Sequence, residues 1–87
     1  MRKIIVLNEK DNVAIALHPL REGEKVRIDR GAIKLLDFIP QGHKFAIKEI
    51  KKGEKVLKDG EVIGEATKRI KIGEHVHIHN LRSRYRK

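Results

Sequence analysis

Cysteine is absent from this sequence of 87 residues. That excludes a disulfide framework, a thiolate nucleophile and a sulfur-rich metal site. A secreted domain this small usually leans on disulfides, so a reducing cytoplasm is the expected setting. Aromatic residues are nearly as scarce: Phe38, Phe45 and Tyr85 are the whole set, poor material for stacking nucleic-acid bases. No apolar run is long enough to span a bilayer. The opening Met1-Arg2-Lys3 and Ile4-Ile5-Val6-Leu7 have the outline of a signal peptide, but Asn8-Glu9-Lys10-Asp11 closes the run with charge. It reads as a first strand.

What the chain has in quantity is charge, 38% of its residues, mostly Lys and Glu. With no Cys, one Met and few Asn or Gln, this resembles a thermophile's composition. The net charge is +9, and Arg82, Arg84, Arg86 and Lys87 supply four of those charges. A basic domain can bind nucleic acid. A solvated surface with a basic tail is the plainer reading, and it is preferred here. A chain of this length encloses one core and makes one domain.

Internal repetition organises the chain. Ala16 to Val26, Ala46 to Val56 and Ala66 to Val76 share one pattern: Ala, three residues, Leu or Ile, two residues, Gly-Glu, one residue, Val. Ile39-Pro40-Gln41-Gly42-His43-Lys44-Phe45 is a weaker relative that keeps the apolar ends and the glycine. The physics predicts a strand ending at a buried Leu or Ile, then a turn whose glycine takes a positive φ, then a new strand. Unequal spacing of the copies argues against a regular solenoid. Lys58-Asp59-Gly60-Glu61 predicts a type I′ hairpin, and Gly64 marks a bulge or a close backbone approach. Ala32 to Phe38 is bracketed by Gly31 and Pro40 and reads as strand or irregular. The predicted class is all-β.

Five histidines are candidates for chemistry, three of them alternating in His75-Val76-His77-Ile78-His79-Asn80. In a strand, Val76 and Ile78 would face the core while His75, His77 and His79 share the other face, about 6–7 Å apart. Imidazoles so spaced can converge on a divalent ion or on the oxygens of a polyhydroxy acid. An ordinary half-buried strand with a polar outer face is the plain alternative. After the turn glycine, His43 can exchange a proton near neutral pH and Lys44 can neutralise a carboxylate; the plain alternative is two solvated side chains. Asp11-Asn12 reads first as a side-chain-closed turn, and His18 as a surface residue. No Ser/His/Asp triad, P-loop or Rossmann fingerprint is present.

Asp11-Asn12-Val13-Ala14-Ile15-Ala16-Leu17, Ile39-Pro40-x-Gly42-His43-Lys44, Ile63-Gly64-x-Ala66 and Gly73-Glu74-x-Val76-His77-x-His79-Asn80 follow one another in this order. Together they resemble the SAF-type domain of altronate and galactarate dehydratases, and are also similar to the small subunit of sulfolactate sulfo-lyase. The resemblance implies a small β-clip domain over residues 1–81 with a basic tail at 82–87. It implies a hydro-lyase acting on sugar acids with a divalent metal, Fe2+ or Mn2+, in the full complex. Because the sequence stops at Lys87, it implies a separate small subunit that caps the active site of a large catalytic subunit. His43, Lys44 and His77 would then be catalytic, Asn12 and Asn80 would touch substrate, and His75, His77 and His79 would be metal ligands. No membrane partner is expected, and self-association into a homo-oligomer is open. A free-standing sugar-acid binding module is the alternative function, and a basic RNA-binding protein a distant third.

Overall fold

The computed structural model describes residues 2–29 and 31–83. Nine short strands and no helix make up the described chain: β1 (Ile4–Ile5), β2 (Val13–Ala16), β3 (Lys25–Ile28), β4 (Gly31–Lys34), β5 (Lys44–Ala46), β6 (Lys55–Lys58), β7 (Glu61–Ala66), β8 (His75–Val76) and β9 (Leu81–Ser83). They form three antiparallel sheets, ordered β1-β2-β5-β8, β3-β4 and β6-β7-β9. The all-β expectation holds.

Register decides where the core lies. Across β2 and β5, Val13 faces Ala46 and Ala14 faces Phe45; across β5 and β8, Lys44 faces Val76 and Phe45 faces His75. Alternation along each strand therefore sends Ala14, Ala16 and Phe45 to one face of this sheet, and Val13, Ala46 and Val76 to the other. The first set packs with Val26 and Ile33 of the β3-β4 sheet. The second packs with Val56 and Ala66 of the β6-β7-β9 sheet. One central sheet is thus shared between two small cores.

Four glycine corners hold the strands together, and all four follow one plan. Leu20 bridges Ile39, and Ile50 bridges Ile70; all four side chains are buried. Three residues beyond each lies Gly23, Gly42, Gly53 or Gly73, with φ between +84° and +91°. A side chain resists that conformation, and at the third position of the turn it gives the type II form. The next residue's N–H closes each turn: Glu24 to Arg21, His43 to Pro40, Glu54 to Lys51 and Glu74 to Lys71. At three corners the glutamate side chain adds a second clasp, accepting the N–H of Arg21, Lys51 or Lys71. The segment 39–45, read in the sequence as a weaker copy, is a full fourth corner.

Asp59 and Gly60 both have positive φ between the paired Lys58 and Glu61, which is the expected type I′ hairpin. The buried carboxylate of Asp11 clasps it, accepting the N–H groups of Asp59, Gly60 and Asn8. Both readings of Gly64 hold: the register slips between Val56 and Leu57 opposite it, and a Cβ there would collide with the carbonyl of Arg82. Gly64→Ala is therefore expected to destabilise the fold by about 1–3 kcal/mol, read as a lower urea midpoint.

Two expectations need correcting. Leu81–Ser83 is strand β9, paired with β7 from Gly64 to Ala66, so the ordered unit does not end at residue 81. Backbone pairing overrides the basic composition at Arg82, which also lies 3.6 Å from Glu65; the rest of the tail, residues 84–87, falls outside the described residues. The second correction concerns Ile78, which does not face the core. It is 84% exposed, because β8 stops at Val76 and the chain turns over residues 77–80.

Candidate functional site, an imidazole cluster

The turn after β8 is built by Asn80. Its side chain is fully buried, its amide donates to the carbonyl of His75, and its oxygen accepts the N–H of His77. Asn80 N–H in turn reaches the carbonyl of His77. A short polar side chain satisfying nearby main chain competes well with strand pairing, so the alternation stops. The amide of Asn80 thus closes this turn at both its oxygen and its nitrogen. Asn12 is used alike, bridging the Lys55 carbonyl and the Leu57 N–H. Both side chains hold the frame through backbone hydrogen bonds.

Despite the turn, the rings gather. His43 Nδ1 lies 2.9 Å from His75 Nε2, a distance at which the two imidazoles share one proton. His77 stacks on His43 with centroids 4.7 Å apart and planes 10° from parallel. His75 and His77 are 5.4 Å apart, and His79 leans on His75 from 5.7 Å. His43, His75 and His77 are half-buried and His79 is exposed. His18 does not join them.

Asp37 was not singled out in the sequence. Its carboxylate accepts the N–H of His75 and so ties the loop after β4 to the cluster. The signal was present in the repeat: Asp37 aligns with His18, Lys48 and Lys68, and alone is acidic.

Lys44 does not sit beside His43. Adjacent residues of a strand point to opposite faces, and Lys44 lies opposite Val76, on the face of the second core. Burial first, and then the charge of Lys58, lower its pKa. Its effect on the cluster is electrostatic. Burial lowers the pKa of His77, and His43, Lys44 and His79 add to this. Burial also lowers His75, helped by His43, His77 and His79 and opposed by Asp37.

These directions fix a pH dependence. Above the ordinary imidazole value of about 6.5, folded and unfolded chains are both neutral at His75 and His77. Below it the unfolded chain takes up protons that the fold resists, so stability is lost as pH falls through the lowered folded values. Urea midpoints between pH 8 and 5 are expected to decline, and His75→Gln to make the decline shallower.

A divalent metal places a strict demand on this geometry. Ligating nitrogens must aim at one point about 2.0–2.1 Å from each. The His75 and His77 rings instead lie within 14° of parallel, His79 is tilted 36° from His75, and no group of three His, Asp or Glu among the described residues is arranged to hold an ion. As placed here, these three histidines do not fit the expected Fe2+ or Mn2+. Nor do they line the hollow of about 880 Å³ that lies between the β1 region and β3, with Ile4, Ile28, Ile47, Lys3 and Lys25 in its wall. The cluster is a surface feature, rimmed by exposed apolar side chains. Leu36 and Phe38 flank Asp37, Ile72 precedes Gly73, whose carbonyl accepts the Leu36 N–H, and Ile78 lies between His77 and His79; all four are exposed.

Among the described residues the chain is a helix-free module of small antiparallel sheets joined at glycine corners, with gathered imidazoles on an open face. Comparison with known proteins places it more closely. The chain belongs to the altronate/galactarate dehydratase SAF domain family, whose model matches residues 2–84. It is 37% identical to the altronate dehydratase of Bacillus subtilis (strain 168) over 83 residues, 95% of this chain and 17% of that protein. It is 44% identical to the altronate dehydratase of Escherichia coli (strain K12) over 79 residues, 91% of this chain and 16% of that protein. It is also 44% identical over 48 residues to the (2R)-sulfolactate sulfo-lyase subunit alpha of Chromohalobacter salexigens, 55% of this chain and 51% of that subunit. The chain thus spans about a sixth of the length of the two altronate dehydratases. Among the described residues, no helix is long and apolar enough to cross a membrane.

Proposed function

We propose that this chain is the SAF-domain subunit of a sugar-acid hydro-lyase of the altronate or galactarate dehydratase type. It presents His43, His75 and His77 to the substrate in a pocket completed by a separate large catalytic chain. The observation that carries this reading is the imidazole cluster on an open face, in a domain whose relatives are dehydratases about six times its length. Removing water from a hydroxy acid requires a base for the proton next to the carboxylate and an acid for the leaving hydroxyl. His77, held neutral by its surroundings, suits the first task. The hydrogen-bonded His43–His75 pair, once it has taken up a proton, supplies the acid for the second. Lys44 helps keep His77 uncharged. The Fe2+ or Mn2+ implied by the resemblance would take its donors from the large chain, and nothing above depends on it.

The exposed Leu36, Phe38, Ile72 and Ile78 form the contact surface in this reading, because a partner that excludes water there also strengthens the electrostatics of the cluster. Mixing the chain with the large dehydratase chain of its own organism, and following loss of altronate and galactarate, tests the function. Turnover is expected only from the mixture. Full turnover by either chain alone rejects the two-part enzyme, and sugar-acid binding by this chain without turnover in the mixture favours a binding module. Ile78→Glu is expected to weaken the complex at least tenfold, measured by titration calorimetry, by placing a charge in an apolar contact.

A further inference from the structure

The corner that carries His43 differs from the other three in one pair of residues. At those three, Glu24, Glu54 and Glu74 accept the N–H of Arg21, Lys51 and Lys71 at 3.0, 2.7 and 2.7 Å. At the fourth, the residue in the donor's place is Pro40 and the residue in the glutamate's place is His43. The main chain does not differ. His43 N–H reaches the Pro40 carbonyl at 3.0 Å, Gly42 N–H reaches the Ala16 carbonyl at 2.8 Å, and Gly42 keeps its φ of +84°. Proline has no N–H to give.

We propose that Pro40 is a positioning residue for the imidazole cluster: by withholding the N–H that a side chain at position 43 would otherwise accept, it releases His43 Nδ1 to bond His75 Nε2. A side chain of glutamate's reach three residues beyond a free backbone N–H can turn back and accept it, as the three glutamates do. Were that donor present, the imidazole would have a local acceptor role at the corner competing with the reach to β8. Proline removes the competitor without disturbing the turn. The side chains facing the pair are His77 and His79 from the turn after β8, and Asp37 from the loop after β4; none lies in the corner, so the effect is local to positions 40 and 43. This inference stands on the corner geometry and does not require the dehydratase reading.

Four versions of the chain test it: wild type, Pro40→Ala, His43→Glu and the double variant. In Pro40→Ala the returning N–H is expected to draw the His43 ring toward the corner. At pH 8 the imidazole 15N resonances of His43 and His75 should then leave the positions of the hydrogen-bonded pair. The double variant rebuilds the glutamate corner found at the other three sites, so it remains a folded comparison even if a single variant is weakened. His43→Glu is expected to be more favourable in the Pro40→Ala background than in the wild-type background, by about 4–8 °C of melting temperature, since only there does the carboxylate find a donor. Additive melting temperatures across the four chains would overturn the proposal. So would unchanged His43 and His75 resonances in Pro40→Ala.

Discussion

In the proposed two-chain dehydratase, His77→Ala is expected to lower turnover by about 10²–10⁴-fold, the usual range for losing a positioned acid or base. The size follows from placement. His77 is only half-buried, it stacks on His43, and its pKa is held down by burial and by His43, Lys44 and His79, so the ring is neutral and able to take a proton near pH 7. His79→Ala should matter far less, because that ring is exposed and reaches the cluster only through a tilted contact with His75. His77→Ala should also leave the melting temperature nearly unchanged, since its ring is half-buried and belongs to neither core. A drop in kcat without loss of folding or of complex formation separates chemistry from assembly. If the variant pair turns over substrate at the wild-type rate, His77 is no participant.

Asp11→Ala is expected to produce the largest loss of stability, about 3 kcal/mol, because three backbone N–H groups lose a charged acceptor together. Asp11 is buried and accepts from Asn8, Asp59 and Gly60 at 2.8–3.1 Å. The hairpin it clasps already holds Asp59 at a positive φ, a conformation few side chains adopt without support. For a domain of this size the loss corresponds to roughly 12–24 °C in melting temperature. Asp11→Asn, which keeps one acceptor oxygen, should fall between the two. A melting temperature for Asp11→Ala within a few degrees of wild type would mean that the clasp is not needed.

Much of the frame could be read from residues alone, because local rules govern it. Gly23, Gly53 and Gly73 stand where only a positive φ closes the turn, Asp59-Gly60 is a hairpin pair, and Gly64 leaves room that a Cβ would fill. Pairing of Leu20 with Ile39 and of Ile50 with Ile70 was not legible, since partners 19 and 20 residues apart leave no local trace. The repeat does align His43 with the corner glutamates, but it does not name the partner across each bridge. The site was half legible. Alternation brought His75, His77 and His79 into view, and the turn glycine brought His43, but alternation also predicted a core-facing Ile78. The side chain of Asn80 closes its own turn and exposes Ile78 instead. The backbone role of Asp11-Asn12 was legible too: both side chains hold main-chain groups between Lys55 and Gly60.

The claim that these imidazoles meet the substrate is tested most directly by imidazole NMR of the assembled enzyme, with and without galactarate or altronate. On addition of the acid that is turned over, the ring signals of His43, His75 and His77 should shift together while that of His18 stays in place. If the acid binds and all three cluster signals remain where they were, the substrate lies elsewhere and the cluster has another purpose.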